Sequence, residues 1–417
     1  MKEMRFCFLM PQLEHYSPVS GGAIATVTAN VARELQFMGH RVDVVAADSC
    51  DPVYAAGCFH SVSERSGGAL FEIAAHFEAR LRGWDAPHGG RYYSAGLRLL
   101  ERLQPDVLVL ANDLERISAV RRLLPRVRIV VWMHNECRLR KGMPNGLGDA
   151  DAFLCCSHYV KNWLVREYGL DLSRVHTAHA GIDRTLFYPG TPTTAQKFLR
   201  VLFTGRLDPN KGVDIAVNVV SRLRKKGASI RLSVAGNVWF YRLKGGERDP
   251  FQTGLRTAMR DGGVDWMGHV PRRFLPAVMR HHDVALVPSR SEEPFGLVVL
   301  ESMASGLAVV ASPRGGLSEA CGGAGILVDP EDNNGLERIL ERLSRDPDEL
   351  ARWKARSVER VKTAEWGGTA GVLCRAVGAQ TRKGQECEIP SAMEPGPVCR
   401  GTGLLECDAP SRLISDF

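Results

Sequence analysis

The sequence predicts an α/β protein made of two parallel-sheet domains in tandem. Three observations carry this. Apolar runs of strand length alternate with helix-length amphipathic stretches almost throughout, the pattern of βα units. At 417 residues the chain exceeds one comfortable core and fits two domains of roughly 150–200 residues. Finally, the alternation stops at the Pro-, Thr- and Gly-rich "PGTPTTAQKF" (189–198) and then restarts.

The first domain is expected over residues 1–190. "RFCFLM" (5–10) reads as a buried strand, and a turn-rich stretch ending in "SGG" leads to a helix from Ala23 to Met38. Gly39 stops that helix before the strand "GHRVDVVAA". Residues 50–90 have little period. "RYYSAGLRLLERL" reads as a helix, "PDVLVLAN", "RVRIVVWMHN" and "AFLCCS" as strands, and "HYVKNWLVREYG" as a helix. After a linker at 191–198, the second domain is expected over 199–365. It starts with the strand "LRVLFTG", the loop "RLDPNKG" and the helix "VDIAVNVVSRLRKKG". "IRLSVAGN", "DVALVPS", "LAVVAS" and "GILVD" are its further strands. A helix at 366–380 is expected to cross back to the first domain. The Gly-, Pro- and Cys-containing tail 381–417 has no period and is expected to be disordered.

Composition narrows the class. The apolar fraction of 44% and charged fraction of 24% are those of a globular protein, and Lys plus Arg exceed Asp plus Glu by 54 − 47 = 7. That excess suits an anionic ligand, but the basic clusters at 222–226 and 138–141 lack interleaved aromatics, so no nucleic-acid partner is expected. The loop "RLRKG" (138–142) leaves room for peripheral contact with an anionic membrane surface. Eleven irregularly spaced cysteines without a CxxC read as reduced thiols, which predicts a cytoplasmic location. No apolar run approaches the roughly 18 residues of a membrane span.

Tandem parallel sheets place a ligand in the cleft at their strand C-terminal ends. Arg206 and Lys211 fall there, in a loop entering a helix, where two cations and a helix N-terminus suit a diphosphate. A simpler reading makes them surface charges partnered by Asp208 and Asp214. Gly21 and Gly22 precede the first helix and allow close backbone approach to an anion, or merely form a turn. His134 ends a strand and can donate to a sugar hydroxyl, or cap a loop. In "SEEPFGLVVLES", Glu293 precedes Pro294, read as the first helical residue. Glu301, Ser302 and Ser305 make that helix's polar stripe. The stripe is a solvent edge, or else Glu301 faces the cleft and accepts ribose hydroxyls. Asp149 and Asp151 match a DxD metal pattern but precede a strand, and are read as a chance match.

Several motifs in order then resemble one family. "VLFTGRLDPNKGVDIAV", "CCSHYVKNWLVREYG", "HAGIDRTLFYPG" and "PSRSEEPFGLVVLESMASGLAVVAS" followed by "RGGLSEACGGAGILVDP" are similar to landmarks of the family 4 (group 1) retaining glycosyltransferases. The resemblance covers about residues 5–365. It implies the GT-B fold, two Rossmann-like domains facing a cleft, and transfer of a hexosyl unit from a nucleoside-diphosphate sugar, UDP-linked by family frequency, to an acceptor. It implies that Arg206 and Lys211 bind the donor diphosphate and that Glu293 faces the transferred sugar. Glu301 would bind ribose, the backbone of Gly296 and Leu297 would meet the donor, Gly21 and Gly22 would contact the diphosphate, and His134 would lie near the sugar. No metal or other cofactor is expected. "HAGID" departs from the family pattern, which more often has Asn before the Gly. An epimerase or phosphorylase on the same fold, or a non-catalytic sugar-binding member, are the alternative readings.

Overall fold

The computed structural model describes residues 2–62, 90–139, 146–190, 197–237 and 250–379. The tail 381–417, most of the linker, and the basic residues Arg140 and Lys141 lie outside the described residues.

The first lobe contains β1 (Arg5–Leu9), α1 (Ala23–Phe37), β2 (Arg41–Ala47), β3 (Cys58–Val62), α2 (Gly90–Leu103), β4 (Val107–Ala111), α3 (Ile117–Leu123), β5 (Arg128–Met133), β6 (Ala152–Cys155), α4 (His158–Tyr168) and β7 (Val175–Thr177). Its sheet order is β3-β2-β1-β4-β5-β6-β7, with every pair parallel. The second lobe contains β8 (Leu199–Thr204), α5 (Val213–Lys225), β9 (Ile230–Ala235), α6 (Pro250–Asp261), β10 (Asp265–Gly268), α7 (Leu275–Arg280), β11 (Val284–Val287), α8 (Leu297–Ala304), β12 (Ala308–Ala311), α9 (Leu317–Cys321), β13 (Ile326–Leu327), α10 (Asn333–Arg345) and α11 (Pro347–Arg360). Its order is β10-β9-β8-β11-β12-β13, again parallel throughout. Both are doubly wound sheets whose order reverses once, between β1 and β4 and between β8 and β11. Ligands bind such sheets in the crevice outside the strand C-terminal ends at that reversal.

The strands are almost uniformly apolar because helices cover both faces. The two-residue alternation survives in which core each side chain joins. Leu199, Val201 and Phe203 of β8 pack on the α5 and α10 side, whereas Leu202 joins the core that runs on into the first lobe. That second core includes Phe295, Val299, Leu300 and Met303 around α8, so the apolar interior is continuous across the two lobes.

A final helix, α12 (Trp366–Ala376), lies on the first lobe. Cys374 Sγ is 4.0 Å from Met38 Sδ at the end of α1, and Thr369 Oγ1 donates to the His179 carbonyl at 2.6 Å. Among the described residues no helix is long and apolar enough to cross a membrane.

Candidate active site

The loop after β8 is built to present Lys211. Asp208 accepts from the Lys211 N–H at 3.2 Å and caps a short 3-10 turn, Pro209–Lys211. Arg290, after β11, fastens this turn from the neighbouring loop. It donates to the Pro209 carbonyl at 2.9 Å and grips Asp214 with two bonds of 2.8 Å. Asp214 therefore partners Arg290 and not Lys211, while Asp208 does pair with Arg206, at 3.4 Å.

Lys211 reaches across the reversal between β8 and β11. Its Nζ lies 2.6 and 2.8 Å from the two carboxylate oxygens of Glu293. Ser289 Oγ adds a third bond to Glu293 Oε1, at 2.7 Å. Glu293 is buried, and these contacts satisfy and orient its carboxylate oxygens. Two residues proposed from sequence alone thus meet in one contact.

The helix after Glu293 starts later than the sequence suggests. α8 begins at Leu297, and Pro294 is not its first residue. Glu293 instead bridges to Gly315, and its carbonyl accepts from Gly316 N–H at 2.6 Å. A β-type contact holds Glu293 extended, so the helix waits until Gly296 turns the chain at φ +97°, a left-handed angle that favours glycine. A Cβ on Gly296 would also fall 2.6 Å from Leu317 Cδ2.

The solvent-edge reading of α8 does not hold. Ser302 and Ser305 are buried, and Glu301 is only 4% exposed: Ser305 Oγ lies 3.6 Å from Met279 Sδ of α7, and Glu301 faces the first lobe. Glu301 is paired with a residue the sequence reading missed: Arg272 Nη1 lies 2.6 Å from Glu301 Oε1. The signal was available in principle, since a buried carboxylate demands a cation. Nothing local to "HVPRRF" marks Arg272 as that cation. Glu301, Leu297 and Arg272 line a cavity of about 130 Å³ together with Asn30, Tyr54 and Asp183 of the first lobe. A second cavity, about 810 Å³, lies at the opposite end of the first sheet, beside Met4, Asp106 and Arg128 at the strand N-termini. Parallel-sheet geometry argues against it as the reaction site.

On the first-lobe side, Gly22 caps α1 and Gly21 packs so tightly that a Cβ would meet the Ser17 carbonyl at 2.3 Å. The helix N-terminus they open is occupied by the chain's own carboxylate. Ala25 N–H donates to Glu14 Oε1 at 3.0 Å, and burial pushes the Glu14 carboxyl above its ordinary pKa. His134 is buried at the end of β5, stacked on Trp132 with ring centroids 5.3 Å apart. Its backbone N–H donates to Asn112 Oδ1 at 2.6 Å. The Cys156 thiol spans the cleft here, 3.8 Å from the His134 carbonyl and 3.5 Å from that of Pro294, next to Glu293. Burial pushes this thiol up to about 12, so it remains a proton donor.

Burial pushes the His134 ring down to about 3, so it is neutral at ordinary pH. In the unfolded chain its ordinary value is 6.5. Unfolding below that value takes up a proton the folded ring refuses, so the stabilising contribution is present above pH 6.5 and lost as pH falls towards 3. Between pH 7 and pH 5 the wild type is expected to lose about 2 kcal/mol through this residue. A His134→Asn variant should lack that component, as urea titrations at the two pH values would reveal. Equal pH dependence in both proteins would contradict the buried neutral ring.

Asp149 and Asp151 are structural. Asp149 accepts from Ser118 Oγ at 2.8 Å, and Asp151 from Arg121 and from Ile129 N–H, both at 2.7 Å. The 222–226 cluster is partly paired, since Arg222 and Lys226 both bind Glu337.

Two Rossmann-like lobes with a charged cluster at a strand-order reversal are the arrangement of the GT-B fold. Residues 21–186 match the model of Glycosyltransferase Family 4, and residues 191–360 that of Glycosyl transferases group 1. The chain belongs to this family, the family 4 (group 1) glycosyltransferases. It is 27% identical to a glycogen synthase of Mycobacterium tuberculosis over 381 residues, 84% of this chain and 89% of that protein. It is 32% identical to a D-inositol 3-phosphate glycosyltransferase of Pseudarthrobacter chlorophenolicus, over about half of each chain (50% and 51%). Among solved structures, Anabaena HepE in complex with UDP and glucose superposes with TM-score 0.69 at 16% identity, over 91% of this chain and all of that one (100%). Sucrose-phosphate synthase of Thermosynechococcus elongatus gives 0.66 at 20% identity, covering 90% and 99%. These two likenesses concern the fold.

Proposed function

We propose that this glycosyltransferase moves a hexosyl unit, with retention, from a nucleoside-diphosphate sugar, most simply a UDP-hexose, to an acceptor bound by the first lobe. The observation that carries this is the Lys211–Glu293 contact at the β8/β11 reversal. An ammonium has three N–H donors. Two serve Glu293, which leaves one for a phosphate oxygen, with Arg206 in the same loop as a second cation.

The chemistry follows from charge. As the glycosidic bond to phosphate breaks, negative charge accumulates on the leaving diphosphate, and fixed cations stabilise it without a metal. Glu293, fixed by Lys211 and Ser289, faces the sugar, and the neutral His134 donates to a sugar hydroxyl. Glu301 accepts the ribose hydroxyls, while the Gly296–Leu297 turn meets the donor backbone to backbone. Gly21 and Gly22 approach the diphosphate from the other lobe, which requires Glu14 to leave the α1 N-terminus. The cavity beside Glu301 is about 130 Å³, below the roughly 300–1,000 Å³ of a small-molecule site, so donor entry requires the lobes to part. Closure then excludes water. That HepE was solved with UDP and glucose favours a UDP-linked donor here.

A thermal-shift panel of UDP-, ADP- and GDP-hexoses tests the reading, followed by product analysis with and without candidate acceptors. A UDP-hexose should raise Tm, and the product should keep the donor's anomeric configuration. Failure to bind or consume any nucleoside-diphosphate sugar would sink the proposal. Sugar inversion without an acceptor, or dependence on free phosphate, would redirect it to an epimerase or a phosphorylase.

A further inference from the structure

His158, His179 and Glu319 come from three separate segments and meet at the seam between the lobes. His158 opens α4, His179 follows β7, and Glu319 lies on α9 of the second lobe. One potential ligand atom from each lies within 4.8 Å of the others. We propose that these three residues form a binding site for a borderline divalent transition metal such as Zn²⁺ or Co²⁺, bridging the two lobes. The proposed transfer reaction does not use this site.

The donor set selects the metal. Two imidazoles and one carboxylate suit zinc, cobalt or nickel, whereas magnesium and calcium prefer oxygen alone. Each ligand is also held by a neighbour, as metal ligands generally are. Thr177 Oγ1 lies 3.1 Å from His158 Nδ1 and fixes that ring. The His179 ring stacks on Phe295 at 5.5 Å, two residues beyond Glu293. Glu319 accepts from the N–H groups of His158 and Tyr159, at 2.7 and 2.8 Å, which turns its carboxylate towards the α4 N-terminus.

The present contacts are nearly those of a loaded site. His179 Nε2 is 3.0 Å from Glu319 Oε2, and the two imidazoles meet edge to face at 5.3 Å. Ligands about 2.0–2.2 Å from a tetrahedral ion stand about 3.3 Å apart, so only His158, the exposed member, has far to move. On loading, bonds to the ion replace the present contact between His179 Nε2 and Glu319 Oε2. Two ligands from one lobe and one from the other mean that the ion would staple the cleft shut.

Cobalt(II) titration of the full chain, followed by visible absorption and calorimetry, tests this. One site per chain is expected, with ligand-field bands and no thiolate charge-transfer band. His158→Ala and His179→Ala should each weaken binding at least tenfold. Cys156→Ser should bind as wild type, which separates this site from the nearby thiol. Both histidines are partly or fully exposed, so these variants should keep the wild-type circular dichroism. No binding, or binding unchanged in both histidine variants, would overturn the proposal. So would a thiolate band lost in Cys156→Ser. The experiment needs no sugar donor, so its failure leaves the transferase reading intact.

Discussion

Replacing Lys211 with Ala should lower kcat/KM by roughly 10²–10³, the cost of removing one preorganised charge from a developing anion. Most of the loss should fall in kcat, because the leaving phosphate is more negative in the transition state than in the bound donor. The variant will also be less stable, since among the described residues Glu293 keeps only Ser289 as a side-chain partner in a buried position. A Lys211→Ala/Glu293→Gln pair separates the two effects. It should regain stability without regaining turnover, as steady-state kinetics beside urea unfolding would show. Near-normal kcat in the single variant would remove Lys211 from the phosphate site.

The second large effect concerns Arg272. Removing it as Arg272→Ala leaves Glu301 almost completely buried without its cation, which should cost about 3–5 kcal/mol of folding stability. A quarter of the Arg272 side chain meets solvent, so the lower end of that range is expected. Adding Glu301→Gln should recover part of the loss, because the orphaned charge goes with it. Additive losses in the double variant would mean that the ion pair does not act as a unit. Glu301→Gln alone should raise KM for the donor more than it lowers kcat, since the ribose contacts proposed for Glu301 would be made equally in the ground and transition states.

What could be read in advance follows from how local the signal is. Buried parallel strands announce themselves as short apolar runs, so β1, β4, β5, β8 and β11 were all legible. The Lys211 loop was legible too, because its cations sit between a strand and a helix. The pairing of Lys211 with Glu293 was not, since it joins residues 82 positions apart through sheet order alone. The start of α8 was misplaced for a similar reason. Pro294 suits a first helical turn, but a contact from Gly315 keeps the preceding residue extended. Ser302 and Ser305 looked like solvent-facing residues because polarity is visible in a sequence and the packing that buries them is not.

The return of α12 to the first lobe has a mechanical result. The chain leaves the first lobe after β7 and comes back before Trp366, and these two passages run side by side. Ile182 N–H donates to the Ala364 carbonyl at 2.9 Å, and a Cβ on Gly181 would strike the Trp366 backbone at 2.3 Å. The two covalent crossings between the lobes are therefore a single packed seam at this point, and not two separated tethers.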